Sequence, residues 1–303
     1  MSTNRPTPIT RKQVAAYLKP RPKDSHKGLF GTVSVIGGDD GMIGAAILAG
    51  RAALKMGAGG VHIGLLADKM PLVDMRMPEL MLHPASAALK RIPLPNPLPQ
   101  AGEGANEKIN SHPSVVVLGC GLGQSPVAQK IVYDALLLDV PLVLDADALN
   151  IIADRPDLRG MLHTRKAATV VTPHPGEAAR LLGCDTEDVQ KDRTRTALSL
   201  VKRLSASVVL KGAGSLIATR EGKLYLNQTG NPGMSAAGMG DVLSGMIAAF
   251  IAQGLSADEA LLLAVHLHGA AGDELAKQNA TIGMSATEVT EWARWLLNQI
   301  APK

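Results

Sequence analysis

The chain is expected to fold as an α/β protein with a mainly parallel central sheet and helices on both faces. Three observations carry that expectation. Short, continuously apolar runs such as Val115–Leu118 are what strands look like when both faces are covered. These runs alternate with segments of helical period, which makes strand–helix–strand crossovers the natural connection. Glycine-rich turns fall where a strand run ends and a helical run begins.

Residues 11–19 read as a short leading helix, followed by a connection containing Pro and Lys. A strand–helix–strand unit comes next: strand Thr32–Ile36, a loop from Gly37 to Gly44, helix Ala45–Met56 and strand Gly60–Leu66. Strand Val115–Leu118 precedes helix Pro126–Leu138, then strand Pro141–Leu144 and a short helix after Asp147. Strand Ala168–Val171 leads into helix Pro175–Leu182 and a further helix over Thr186–Leu204. Ser207–Leu210, Ser215–Thr219 and Lys223–Asn227 complete the strands, the last two as a hairpin around Glu221 and Gly222. Long helices then cover 242–253, 257–278 and 286–300.

The segment 91–110, RIPLPNPLPQAGEGANEKIN, breaks this rhythm. It is rich in Pro, Gly and polar residues and has no usable period. It offers too little apolar surface to order itself, so it reads as an exposed, disordered insertion. Residues 1–303 are otherwise expected to form one domain, a size compatible with a substantial core.

Composition narrows the partners. Hydrophobic residues make up 46% of the chain but aromatics only 2%, so the core is built from Ala, Val, Leu, Ile and Met. Two Trp, three Tyr and two Phe cannot furnish a stacking platform for single-stranded nucleic acid. The net charge of +4 is modest and the basic residues are scattered, which favours small anionic ligands over a nucleic-acid backbone. No apolar run of roughly 18 residues is present, so no membrane span is expected. The polar segment Met1–Thr10 does not look like a signal peptide. Cys120 and Cys184 lie far apart and read as reduced thiols of a cytoplasmic protein.

The most informative stretch is Asn231–Asp241, which opens into the apolar run Val242–Ile251. Gly238 and Gly240 let backbone N–H groups converge on one point at a helix start, a place suited to an anion. Asp241 beside that point makes sense if the carboxylate takes a proton from an attacking hydroxyl, as in phosphoryl transfer to an alcohol. Taken alone, the segment reads first as a Gly-rich turn with an Asp near a helix N-terminus, and only the other loops reverse that preference.

Other loops fall at strand ends. The glycines 37, 38, 41 and 44 match G-x-G-x-x-G in no frame, and Asp68 comes too late for a dinucleotide fingerprint. Gly44, Ala45 and Ala46 nevertheless permit close approach of a ligand. Gly119, Gly121 and Gly123 form a loop able to lie flat against a ligand, or a tight turn with Ser125 capping the next helix. Asp145 can reach the same crevice, while Asp147 reads as a helix cap. Pro173 and Pro175 hold His174 rigidly at a strand end, a display that favours function over structure. Lys211 and the turn through Gly212, Ala213, Gly214 and Ser215 suit a nucleotide phosphate. By itself that turn is a β-turn carrying a surface lysine. His266 and His268 read as packing or polar-face residues. No metal-ligand cluster stands out.

Together these loops resemble the ribokinase-like superfamily, and more narrowly the ADP- or ATP-dependent NAD(P)H-hydrate dehydratase family. The matching pieces are Gly44-Ala-Ala, Gly119-x-Gly-Leu-Gly123, Asp145-Ala-Asp-Ala-Leu-Asn150, Thr172-Pro-His-Pro-Gly-Glu177, Lys211-Gly-x-Gly-Ser215 and Asn231-Pro-Gly-Met through Gly245. They extend over about residues 11–300, except the insertion. Met239 and Cys120 depart from the pattern, Cys120 standing where Pro is usual. The resemblance implies a ribokinase-like fold and ADP-dependent dehydration of hydrated NADH and NADPH, with release of AMP and phosphate. It implies that Asp241 is the base and that Ala45, Gly123, His174 and Asp241 contact the hydrated dinucleotide. It puts Lys211, Gly212, Ala213, Gly214, Ser215 and Gly240 against the adenine nucleotide. Mg2+ as counter-ion and a homo-oligomer, often a tetramer, are implied as well. The epimerase domain fused to some relatives is expected to be missing. Two alternatives share the anion-hole chemistry or the fold: a kinase for a vitamin-precursor alcohol, and a non-catalytic nucleotide-binding module.

Overall fold

In the computed structural model, which describes residues 5–90, 115–279 and 281–302, ten strands share one sheet. They are β1 (Thr7–Pro8), β2 (Thr32–Gly37), β3 (Gly60–Leu65), β4 (Met81–Pro84), β5 (Val115–Leu118), β6 (Leu142–Leu144), β7 (Thr169–Val171), β8 (Ser207–Leu210), β9 (Leu216–Ala218) and β10 (Leu224–Leu226). Their order is β1-β10-β9-β8-β7-β6-β5-β2-β3-β4. β9 runs antiparallel to both of its neighbours, and the remaining pairs are parallel. The mainly parallel sheet expected from the sequence is therefore present. The insertion expected at 91–110 lies outside the described residues.

The helices are α1 (Arg11–Ala15), α2 (Ile43–Lys55), α3 (Ala85–Lys90), α4 (Pro126–Leu136), α5 (Ala146–Asp154) and α6 (Pro156–Thr164). They continue with α7 (Pro175–Leu182), α8 (Thr186–Lys191), α9 (Arg193–Leu204), α10 (Met239–Ala252), α11 (Ala257–Asn279) and α12 (Ala286–Ile300).

Strand pleating divides the apolar runs between two cores. Val33, Val35, Ile63, Val115 and Val117 point to the layer of α2, α10, α11 and α12. Ile36, Val116, Leu118, Leu142 and Leu144 point to the layer of α4 to α9. Phe250 is the largest fully buried side chain, and aliphatic residues and Met fill the rest, as the scarcity of aromatics requires. The two helices that frame the site meet almost backbone to backbone: a Cβ on Gly245 of α10 would lie 2.0 Å from the Ala49 carbonyl oxygen of α2.

From β2 the chain builds one edge through β3 and β4, and the other through β5 to β10. β2 and β5 are therefore the switch point, and ligands of open α/β sheets bind in the crevice beyond the strand ends there.

Several elements differ from the sequence reading. α1 stops at Ala15, since Pro20 follows closely and residues 16–18 close as turns. The helix expected over 186–204 is broken at Asp192, whose side chain accepts from Arg195 N–H and starts α9. α6 begins directly after α5 because Pro156 is compatible with a first helical position but not with continuing α5. β1 and β4 are short edge strands with little β-branched character. The most consequential shift is in α10, which begins at Met239 rather than at Val242.

Candidate active site

The crevice at the switch point is floored by two laced loops. Gly38 N–H donates to the Cys120 carbonyl at 3.0 Å, and Asp39 N–H donates to the Gly121 carbonyl at 2.7 Å. Gly119, Gly121 and Gly123 adopt φ of 121°, 61° and 69°, which keeps the second loop flat. Gly123 donates its N–H to Asp147 at 2.9 Å, and a Cβ there would sit 2.6 Å from Asp39 Oδ2. Ala45, on the first turn of α2, lies against Gly121.

Above this floor stands the start of α10. Gly238 is its N-cap at φ 85°, a left-handed conformation that lets the helix begin three residues earlier than the apolar run indicates. Val242 N–H is the first to reach back, to the Gly238 carbonyl at 3.0 Å. The N–H groups of Met239, Gly240 and Asp241 thus belong to the first turn, where helices lack internal acceptors and attract anions. Asp241 is half-buried. Burial pushes its carboxyl up to about 6, and Asp145 and Asp147 push the same way, while a Cys120 thiol hydrogen bond and Lys211 oppose them. A carboxylate that titrates near neutrality is well matched to taking a proton from an alcohol.

Beside Asp241 lies a buried ionic network. Lys211 Nζ meets Asp145 Oδ1 at 2.7 Å and Glu177 Oε2 at 3.8 Å. Ser244 Oγ donates to the other Asp145 oxygen at 2.8 Å. Burial alone would lower the Lys211 pKa, but Asp145 and Glu177 outweigh it and hold it above the ordinary lysine value. Burial raises Glu177. Ala146, directly after Asp145, is held at φ 47°, a strained setting for a residue with a Cβ. A Cβ on Gly240 would lie 3.3 Å from Lys211 Nζ and 3.5 Å from Asp145 Oδ2, so the absence of a side chain there leaves the network open.

Next to Gly240 is a cavity of about 560 Å³, a size suited to a mononucleotide. Lys211 to Ser215, Asn227 to Pro232, Met239, Gly240 and His268 line it. Asp273 braces its rim, accepting from Gly230 N–H at 2.9 Å and Asn231 Nδ2 at 3.1 Å.

The structure thus brings Ala45, Gly123 and Asp241 to one crevice, and Lys211, Gly212, Ala213, Gly214, Ser215 and Gly240 to one adjoining cavity. Three readings need correction. Lys211 is not a surface lysine: its side chain is drawn in by Asp145 and Glu177. Asp147 does not cap α5; Asp145 does, through Ala146 N–H at 2.9 Å, and Asp147 instead ties down Gly123. His174 has a structural task as well as a place at the crevice mouth. Its Nδ1 accepts from Gly176 and Glu177 N–H, and Glu177 returns a bond to His174 N–H at 2.7 Å, closing a capping box. Burial lowers the His174 pKa, with Lys211 and Arg180 adding to it. Ser244 was not singled out by sequence reasoning. Its spacing of three from Asp241, on the same helix face, was the available signal.

Among the described residues no group of three or more His, Cys, Asp or Glu could hold a metal ion. The carboxylates around the cavity are already engaged, Asp145 and Glu177 by Lys211 and Asp273 by Gly230 and Asn231. That donor set fits Mg2+ carried on nucleotide phosphates, an ion that keeps most of its ligands from phosphate and water. It does not fit a dedicated protein cage.

Comparison with known proteins agrees with this geometry. The profile of the NAD(P)H-hydrate dehydratase family matches residues 33–294. The ADP-dependent (S)-NAD(P)H-hydrate dehydratase of Neisseria meningitidis serogroup B is 41% identical over 288 residues, covering 93% of this chain and 90% of that protein. The bifunctional NAD(P)H-hydrate repair enzyme Nnr of Escherichia coli is 41% identical over 291 residues, covering 96% of this chain; the chain spans about half, 52%, of that longer protein. The crystal structure of the Bacillus subtilis ADP/ATP-dependent NAD(P)H-hydrate dehydratase, co-crystallized with ATP/Mg2+, superposes with a TM-score of 0.82. It is 31% identical, with 99% of this chain and 100% of that chain covered. The ribokinase-like α/β fold expected from the loops is therefore the fold observed. With the matched profile spanning the crevice loops, the ionic network and α10 alike, the chain belongs to the NAD(P)H-hydrate dehydratase family.

Proposed function

We propose that this chain regenerates NADH and NADPH from their (6S)-hydrated forms, consuming ADP and releasing AMP and phosphate. One observation carries the reading: a half-buried carboxylate, pushed up to about 6, shares the first turn of α10 with Gly240, which lines the nucleotide cavity. Base and anion cradle thereby address the same phosphorus.

Hydroxide leaves poorly at neutral pH, so the hydroxyl on the hydrated ring is first converted to a phosphate ester. Asp241 takes the hydroxyl proton, a contribution on the order of 10² to 10⁴ in rate. The hydroxyl oxygen bonds the terminal phosphorus of ADP as AMP departs. Amides of the α10 first turn hold the charge on the transferring group, each such donor being worth about 3 kcal/mol. The ring nitrogen then pushes out phosphate, and a proton leaves the neighbouring carbon to restore the double bond. Mg2+, when bound with the nucleotide, neutralises phosphate charge.

In this reading Ala45, Gly123, His174 and Asp241 contact the hydrated dinucleotide. Lys211, Gly212, Ala213, Gly214, Ser215 and Gly240 hold the adenine nucleotide. A single catalytic domain, a cytoplasmic setting and a homotetramer belong to the same proposal. The loop between β3 and β4 exposes Leu72, Val73 and Met75, a surface suited to assembly. The test is to incubate the folded protein with hydrated NADH and ADP and follow the absorbance of regenerated NADH. No ADP-dependent recovery rejects the reading. Accumulation of a stable phosphorylated vitamin precursor would favour the kinase alternative instead.

A further inference from the structure

The turn that joins β8 to β9 runs from Lys211 to Ser215 along the wall of the 560 Å³ cavity. Behind it, outside that wall, stands Arg193, the first residue of α9. The interruption of the helical run at Asp192 puts it there, because α8 ends at Lys191 and α9 starts afresh. Arg193 Nη2 donates to the Leu210 carbonyl at 3.1 Å and to the Lys211 and Gly214 carbonyls at 3.4 Å each. Nη1 donates to Gln190 Oε1 at 3.3 Å. The guanidinium lies flush against Gly212, where a Cβ would come within 2.9 Å of Nη1 and where φ is 142°. The side chain is half-buried, and burial lowers its pKa without discharging it.

The ends of the turn have anchors of their own. Lys211 N–H donates to the Pro173 carbonyl at 2.9 Å, and Asn227 N–H donates to the Ser215 carbonyl at 3.0 Å. Between them, the carbonyls of Lys211 and Gly214 are held by Arg193. These peptide bonds are trans, and in a trans peptide unit the carbonyl and the following N–H point opposite ways. Carbonyls drawn toward the guanidinium therefore turn the N–H groups of Gly212 and Ser215 away from it, and both residues line the cavity.

We propose that Arg193 is a positioning residue for the nucleotide: its grip on the carbonyls of the β8–β9 turn presents the turn's N–H groups to the phosphates of ADP. The inference rests on the reading of this cavity as the nucleotide subsite. A planar fork suits the task, since it spans carbonyls that a point donor such as an ammonium cannot hold together. Lys211 cannot replace it, because its ammonium is drawn to Asp145 and Glu177.

The test compares the wild type, Arg193→Met and Arg193→Lys by calorimetric titration with ADP and by turnover of hydrated NADH. The Met variant, of similar reach but without donors, weakens ADP binding about tenfold and raises KM for ADP in step. Its kcat at saturating ADP and its KM for hydrated NADH change by less than about threefold. The Lys variant, with charge but no fork, falls between the two. An ADP Kd in the Met variant within about twofold of the wild type overturns the proposal. So does a parallel loss of ADP affinity, hydrate affinity and kcat, the mark of a merely structural role. Should the Met variant fail to fold, the Lys variant takes its place, with ADP binding about threefold weaker and hydrate KM unchanged; an unchanged ADP Kd there overturns the proposal equally. If the wild type itself does not bind ADP, the nucleotide reading of the cavity falls and the role of Arg193 with it. If it binds and turns over while the variant's Kd is unchanged, only the role of Arg193 falls.

Discussion

Replacing Asp241 with Asn should abolish turnover and at the same time make the protein more stable. The folded chain holds the Asp241 carboxyl at about 6, against an ordinary value of 3.8. Between those pH values the folded chain keeps a proton that the unfolded chain has released. This group therefore costs nothing below about pH 4, costs progressively more as pH rises to about 6, and costs a constant amount above it. A difference of about two pH units is worth about 3 kcal/mol, of which about 2–3 kcal/mol is a fair expectation for a half-buried group. Asn carries no charge at any of these pH values, so the variant should gain that amount at about pH 8, roughly 3–5 °C in Tm for a chain of this size. The gain should shrink toward zero near pH 4. Thermal or urea denaturation of both proteins across this range measures it. In parallel, kcat/KM of the wild type should rise with pH through about 6 as the base ionises. Equal stabilities at pH 8, or a gain that does not depend on pH, would refute the claim that Asp241 is held ionised at a cost in the crevice.

Gly123→Ala places a Cβ 2.6 Å from Asp39 Oδ2 at a left-handed φ, so it should raise KM for the hydrated dinucleotide about tenfold. The Kd for ADP, measured by calorimetry, should change little; an equal loss in both would contradict the division of the two subsites. Lys211→Met leaves Asp145 and Glu177 buried without their cation, and should cost about 3–5 kcal/mol by urea denaturation as well as most of the ADP affinity. Gly245→Ala drives a Cβ to 2.0 Å from the Ala49 carbonyl and should cost about 1–3 kcal/mol. An unchanged melting profile there would mean that α2 and α10 separate easily.

Much of this was legible in the chain. Continuously apolar runs such as Val115–Leu118 announced buried parallel strands, and the alternating helical segments announced the layers over them. The glycine loops gave the crevice, because positive φ and close approach leave a compositional mark. What stayed hidden was contact between residues distant in sequence. Nothing in Lys211-Gly-Ala-Gly-Ser215 says that Asp145, far upstream, neutralises the lysine and draws it inward. Asp145 reaches the crevice as expected but also takes the cap expected of Asp147, because either can cap a helix, and only the position of Gly123 decides that Asp147 turns away. The three-residue error at the start of α10 has a local cause. Apolar periodicity cannot register Met239, Gly240 and Asp241 as helical when the cap is a glycine in a left-handed conformation.

The near-fusion of α2 and α10 at Ala49 and Gly245 fixes more than packing. Ala45 rides on one of these helices and Asp241 on the other, so the two ends of the crevice are carried by one stiff girder. Admitting or expelling a ligand by spreading these two helices would require parting that backbone contact.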